Sequence, residues 1–255
     1  MGDDATGVGV LSRAMAVLDC FNEDNVVLSA AELGASTGLP PSTLHRLLAQ
    51  LTEFGMLMRA PGHRYAIGTR LWELGQLSPI SIRLRERALP HMVRLYEATG
   101  ENVHLGVLEG PNPERAHVLF VGRITGHSAV PTLGRLGGRY SLHTTGVGKA
   151  LLATRDEQWL ARYFTTPLIP ETLHSVTTET QLRAHLEHTR VRGFALTREE
   201  MTLGNVSVAA ALGRVEGLPP SAIGIVVHLD RADERSLGLL ITQVAKDLTR
   251  DLRAA

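Results

Sequence analysis

Apolar residues recur at helical spacing through the first third of the chain. From Leu11 to Phe21, Ala14, Val17, Leu18 and Phe21 form a stripe that predicts a helix containing Cys20. Ser29-Ala30-Ala31-Glu32 has the form of a capping box, in which Ser29 and Glu32 satisfy each other's backbone amides. The helix it opens carries Ala30 and Leu33, and Gly38 supplies its stop. Pro41 suits the first turn of a new helix, where a missing N–H costs nothing. From there to Phe54, Leu44, Leu47, Leu48 and Leu51 fall at i, i+3, i+4 and i+7, which makes one buried face. Gly55 ends it. Met56–Arg59 reads as a strand, Ala60-Pro61-Gly62-His63 as a turn and Arg64–Ile67 as the return strand. Three helices and a hairpin, with a Gly-Leu-Pro-Pro turn before the third helix, predict a winged helix-turn-helix.

Near residue 80 the pattern changes. Leu71, Trp72 and Leu74 continue a helix from Thr69 to about Leu77, and Pro79 interrupts it. A second amphipathic stretch carries Ile82, Leu84, Leu89, Met92, Val93 and Tyr96 and closes at Gly100. Beyond it, strands are predicted at 103–108, 118–124, 194–198, 206–212 and 222–229, and helices at 147–153, 156–163 and 178–192. The firmest helix carries Leu237, Leu240, Ile241, Val244, Leu248 and Leu252. This mixture predicts an α+β or α/β second domain.

Composition narrows the function. Lys and Arg number 26, as do Asp and Glu, so the net charge is zero and a generally cationic nucleic-acid binder is excluded. The zero conceals a gradient: residues 1–40 hold one arginine against six acids, whereas residues 41–70 hold four arginines against Glu53 alone. The polar face of the third helix carries Ser42, Thr43, His45, Arg46 and Gln50, types suited to phosphates and base edges. Its bland alternative is an ordinary solvated helix face. Aromatics at 4% argue against a stacking platform, and the single Cys20 excludes a disulfide or cysteine–zinc scaffold. An acidic start, Met1-Gly2-Asp3-Asp4, and the lack of a long apolar run predict a cytoplasmic protein without a membrane partner.

Catalytic and cofactor chemistry finds little support. Thr145-Gly146-Val147-Gly148-Lys149 fails as a phosphate loop, because His143 and Ala150 stand where glycine and Ser or Thr are required. It remains a glycine-flanked helix start whose free amides can hold an anion or a carbonyl oxygen. His185 and His188 lie three apart without a third ligand nearby, and adjacent Glu199 and Glu200 would point to opposite faces of a strand. We therefore expect no catalytic residues, no metal site and no cofactor.

Two stretches carry a family resemblance: Gly38-Leu39-Pro40-Pro41-Ser42-Thr43-Leu44-His45-Arg46-Leu47-Leu48, and Leu142-His143-Thr144-Thr145-Gly146-Val147-Gly148-Lys149-Ala150-Leu151-Leu152-Ala153. With Arg64-Tyr65-Ala66-Ile67-Gly68 in the wing, the chain resembles the IclR family of bacterial transcription regulators over nearly its whole length. The resemblance implies a winged helix-turn-helix over 1–68, a linker helix over 69–82, and a GAF/PAS-like mixed α/β effector and oligomerisation domain over 83–255. It implies a homodimer or dimer of dimers on double-stranded DNA, at a near-palindromic operator. The DNA contacts it implies are Ser42, Thr43, His45 and Arg46 on the reading helix, with Arg59, Arg64 and Tyr65 on the hairpin.

For the effector pocket, the resemblance places a small acid's carboxylate on the Gly146-Val147 helix start. It aligns Thr197 with the family's acidic residue, Ser207 with its cysteine, and Gly224 and Val226 with its two serines. Leu142 and Met201 are expected as walls. Losing two hydroxyls and gaining apolar surface points to a larger, more apolar effector, such as an aromatic or short acyl acid. A vestigial pocket is the second possibility. Two rivals stand beside the regulator reading: a small-molecule carrier or enzyme with an accessory helical domain, and an interaction module without DNA affinity. The latter rests on the net charge of −3 over residues 1–80.

Overall fold

A computed structural model describes residues 9–22, 24–126 and 134–254. The acidic first four residues lie outside them. The chain forms two compact units, Met1–Ser78 and Pro79–Ala255, so the division falls inside the expected linker.

In the first unit, α1 (Val10–Leu18), α2 (Ala30–Thr37) and α3 (Pro41–Glu53) enclose a core of Val17, Leu33, Leu44, Leu47, Leu48 and Leu51. The capping box forms as its sequence requires: the Glu32 amide donates to Ser29 Oγ at 3.2 Å and the Ser29 amide to Glu32 Oε2 at 2.7 Å. Gly38 ends α2 with φ of 65°, a left-handed conformation that glycine adopts without a side-chain penalty. The wing has three strands rather than two. β1 (Val27–Ser29), β2 (Leu57–Ala60) and β3 (Arg64–Ile67) form an antiparallel sheet in the order β1-β3-β2. β1 escaped the sequence reading because three residues are too few to show a period. A fourth helix, α4 (Thr69–Gln76), ends this unit's regular structure.

The second unit opens with a π-helical turn, Ile80–Arg85, running into α5 (Glu86–Thr99). The Glu86 amide reaches back five residues to the Ser81 carbonyl. This widened turn precedes Pro90, which lies inside α5 and cannot donate to the turn before it. The amphipathic reading of this stretch holds at Leu84 and Met92, both buried, but Ile82 and Leu89 are exposed.

A six-stranded antiparallel sheet forms the unit's centre. Its strands are β4 (Asn102–Glu109), β5 (His117–Ile124), β6 (Arg139–Tyr140), β7 (Ala195–Arg198), β8 (Asn205–Ala211) and β9 (Ser221–His228), ordered β6-β5-β4-β9-β8-β7. One core joins the sheet to α5 and the C-terminal α9 (Glu234–Arg253). A second core joins it to α6 (Gly146–Ala153), α7 (Glu157–Tyr163) and α8 (Glu179–Arg192). Helices on both sides explain why β4 is buried along most of its length and reads as a nearly continuous apolar run. The architecture is a helix-turn-helix unit, a linker helix and a mixed α/β domain. Among the described residues, no helix is long and apolar enough to cross a membrane.

Candidate functional site

Two faces carry the predicted chemistry, one in each unit. On α3, the leucine stripe fixes the helix against its core and turns the polar stripe outward. Ser42, His45 and Arg46 are exposed and Thr43 is half-buried. None of these four side chains makes a hydrogen bond or ion pair within the described residues, which leaves them free for an external partner.

The hairpin residues divide by role. Arg59 is exposed, and its guanidinium lies 4.5 Å from the centre of the Tyr65 ring. Tyr65 itself is a core residue, 3% exposed, so the expected DNA contact becomes a platform beneath Arg59. Arg64 donates to the Val27 carbonyl at 2.7 Å and pairs with Glu32 at 3.3 Å. It ties the wing to β1 and to the cap of α2.

In the second unit, a cavity lies between the start of α6 and one end of the sheet. Its lining includes six of the eight predicted residues: Gly146, Val147, Thr197, Met201, Ser207 and Val226. The register explains this grouping. Thr197 pairs with Ser207 across β7 and β8, and Ser207 with Val226 across β8 and β9, so the three side chains share one face. Leu142 and Gly224 do not reach the cavity surface. Leu142 is wholly buried in the core beneath α6. Gly224 lies under the same helix, where an added Cβ would approach Val147 to 3.0 Å.

The sequence reading missed His104, Phe120, Thr144, Thr145, Glu200, Thr202 and Asn205, which also line the cavity. These residues give the cavity both apolar and polar surface. Phe120, Val147, Met201 and Val226 form an apolar wall beside a polar one. The cavity volume is about 40 Å³.

The start of α6 is capped at one amide and leaves two others without an acceptor among the described residues. Thr145 caps it, accepting from the Gly148 amide at 3.0 Å and donating to the Ser141 carbonyl at 3.0 Å. That leaves the Gly146 and Val147 amides, which find no acceptor among the described residues. Glycine at 146 is a steric requirement, because a Cβ there would sit 2.5 Å from Ser207 Oγ. Gly146→Ala should push α6 away from β8 and cost about 1–3 kcal/mol. Denaturant unfolding would check this, and Gly146→Ala with Ser207→Gly should recover most of the loss. A single variant as stable as the parent would refute the packing argument.

Deeper in, Lys149 Nζ donates to both oxygens of Glu200, at 2.6 and 2.7 Å, and to His185 Nδ1 at 2.8 Å. Both charged side chains are buried. Burial pulls the lysine below its ordinary pKa and raises the carboxyl's; in each case the partner opposes the shift. Burial, followed by the Lys149 charge, holds His185 at about 4, so its ring is neutral. His185 thus accepts from the lysine. His174, His185 and His188 share a neighbouring cleft, but among the described residues no group of three or more His, Cys, Asp or Glu is placed to hold a metal.

Across the cavity, His104 on β4 stacks on Phe120 of β5, with ring centres 4.8 Å apart and planes 7° from parallel. The register shift between Leu105 and Gly106 brings Phe120 opposite Gly106. His104 is 2% exposed, and burial with Arg123's charge lowers its pKa to about 4. A weak interaction with the Gly134 backbone opposes that shift, and Nε2 makes no hydrogen bond of good geometry within the described residues. A buried nitrogen left in this way costs about 1–3 kcal/mol. The neutral rings of His104 and His185 also set a pH dependence. An unfolded histidine takes up a proton near pH 6.5, whereas these two resist until about 4. Stability should therefore be full above pH 6.5 and fall as the pH drops towards 4. Unfolding midpoints across that range, in the parent and in a His104→Phe variant with a shallower fall, would check it.

Residues 10–61 match the IclR helix-turn-helix domain, and residues 78–252 match the C-terminal domain of bacterial transcriptional regulators of the IclR type. The chain is 32% identical to the HTH-type transcriptional regulator XynR of Escherichia coli, over 89% of each chain. It is 30% identical to the transcriptional repressor IclR of the same organism, over 96% of this chain and 90% of that one. Among solved structures, an IclR homolog from Microbacterium hydrocarbonoxydans complexed with 4-hydroxybenzoate superposes with a TM-score of 0.88. It is 31% identical, and the match covers 97% of this chain and all of that one. This chain belongs to the IclR family of bacterial transcriptional regulators, with a DNA-binding unit joined to a ligand-binding effector domain.

Proposed function

We propose that the protein is a cytoplasmic regulator that binds a near-palindromic operator as a homodimer or dimer of dimers. Two-fold symmetry would present two copies of α3 to successive major grooves. Ser42, Thr43, His45 and Arg46 read bases or hold phosphates, and Arg59 adds a contact from the wing. The observation that carries this reading is the polar row on α3, exposed and without internal partners beside a fully engaged leucine stripe. Arg64 and Tyr65, also expected at the DNA, take part in the scaffold as well: Arg64 bonds to Val27 and Glu32, and Tyr65 is buried beneath Arg59.

The effector in this proposal is a compact aromatic carboxylic acid. Its carboxylate lies on the Gly146 and Val147 amides, and its body rests against Phe120, Val147 and Val226. The 4-hydroxybenzoate bound by the 31%-identical homolog supports this class. The cavity is small for such a ligand, and Met201, with its flexible thioether side chain, supplies a wall that yields. An acid that binds one arrangement of the assembly better than another shifts operator affinity by that difference.

Selection of purified protein on randomised duplex DNA tests the reading. Recovery of a near-palindromic site whose affinity responds to aromatic acids is the expected result. Enrichment of no motif at low salt, with and without those acids, would overturn it and favour a ligand-binding or interaction protein.

A further inference from the structure

Resting on the effector reading above, we propose that His104 is a specificity-determining residue that selects a ring hydroxyl on the effector, so that the protein distinguishes hydroxybenzoates from benzoate. The argument begins with an imbalance. Nearly every polar atom deep in a folded protein has a partner. His104 Nε2 has none among the described residues, although the ring is 2% exposed and lines the cavity. Stacking on Phe120 fixes the ring plane, so the nitrogen cannot turn to find a partner elsewhere.

Among the described residues, its neighbours are small. His104 pairs across the sheet with Gly224, which offers no side chain to it. Gly134 lies near it, and a Cβ there would come within 3.1 Å of Nε2 and 2.9 Å of the Phe120 ring. Any larger residue at 134 would crowd this end of the cavity. The amides of Gly146 and Val147 belong to a different element, so the cavity offers two polar positions along with the apolar surface of Phe120, Val147 and Val226. A flat acid with a carboxylate at one end and a hydroxyl elsewhere on the ring satisfies both.

At neutral pH the uncharged ring has one N–H and one lone pair, and a phenolic hydroxyl can donate or accept. It therefore suits either tautomer. Benzoate would occupy the same space and leave Nε2 unpaired. A site built to hydrogen-bond a hydroxyl discriminates against the analogue lacking it, because the protein's own polar group then stays unsatisfied.

Calorimetric titration of the full chain with benzoate, 3-hydroxybenzoate and 4-hydroxybenzoate tests the proposal. The parent protein should bind the better hydroxybenzoate about tenfold more tightly than benzoate, about 1.4 kcal/mol. His104→Phe keeps a flat ring against Phe120 and removes the nitrogen. It should bring the ratio close to one while benzoate still binds. His104→Gln, which keeps a hydrogen-bonding group, should retain part of the preference and serves if the phenylalanine variant unfolds. Equal binding of all three acids by the parent, or an unchanged preference in His104→Phe, overturns the role of His104 and leaves the effector reading standing. Binding of none of the three overturns both.

Discussion

Lys149→Ala is expected to destabilise the effector domain by about 3–5 kcal/mol, because it leaves the Glu200 carboxylate buried without its partner. The ammonium is fully enclosed and places hydrogens on both Glu200 oxygens and on His185 Nδ1, so its donors are all used. Truncation removes the charge that lets Glu200 remain ionised beside the cavity. Glu200→Ala should cost a comparable amount by stranding the lysine. Replacing both, Lys149→Met with Glu200→Leu, should lose much less than the sum, because neither charge then needs a partner. Urea unfolding of the four proteins compares these losses. A loss below about 1 kcal/mol in either single variant would show that water reaches the pair. The pH response has a definite sign. Without Lys149, the Glu200 pKa in the folded protein rises above its unfolded value, so the deficit should shrink as the pH falls and the carboxyl is neutralised.

The same pair shows where sequence reasoning stops. Lys149 was visible only as the end of a failed phosphate loop, and Glu200 as one of two adjacent acids. Glu199 and Glu200 do diverge, but not as strand neighbours. Both follow the end of β7, and Glu199 has φ of 56° and accepts from the Gly204 amide at 2.7 Å. Glu200 turns inward because Ser175 Oγ donates to its carbonyl at 2.6 Å, from a loop 25 residues earlier. No local period encodes that approach. What was legible was local: the leucine stripe of α3, the Ser29–Glu32 box, and the alternation that yields an α+β domain. Six of the eight residues expected at the effector line the cavity, and of these Thr197, Ser207 and Val226, which the family resemblance supplied, are brought together by the sheet register. His104 was unreadable, because an isolated histidine in an apolar strand does not announce that a bulge will set Phe120 against it. The burial of Tyr65 was not legible either, because a wing tyrosine can face the groove or the core.

Arg46→Ala should abolish sequence-specific operator binding while leaving the fold intact. The side chain is exposed and makes no intramolecular bond within the described residues, so no core contact is lost. Arg64→Ala is the instructive contrast. It removes the bonds to Val27 and Glu32 and should lower stability before it touches DNA. A bidentate arginine–guanine contact supplies about 1–3 kcal/mol of discrimination. If two copies of α3 engage a symmetric site, the loss doubles to about 2–6 kcal/mol, or from roughly 30-fold to more than 10⁴-fold in affinity. Salt dependence then distinguishes base readout from phosphate anchoring. Should Arg46 hold a phosphate, its removal would weaken binding to every sequence alike and lower the slope of log K against log salt by about 0.9 per contact. Should it read a base, affinity for the selected operator would fall towards that of random duplex while the slope stayed nearly constant. Anisotropy titrations on both duplexes at several salt concentrations separate the two. Operator affinity unchanged in Arg46→Ala would remove α3 from the groove and transfer the reading role to the wing, where Arg59 is the exposed arginine stacked on Tyr65.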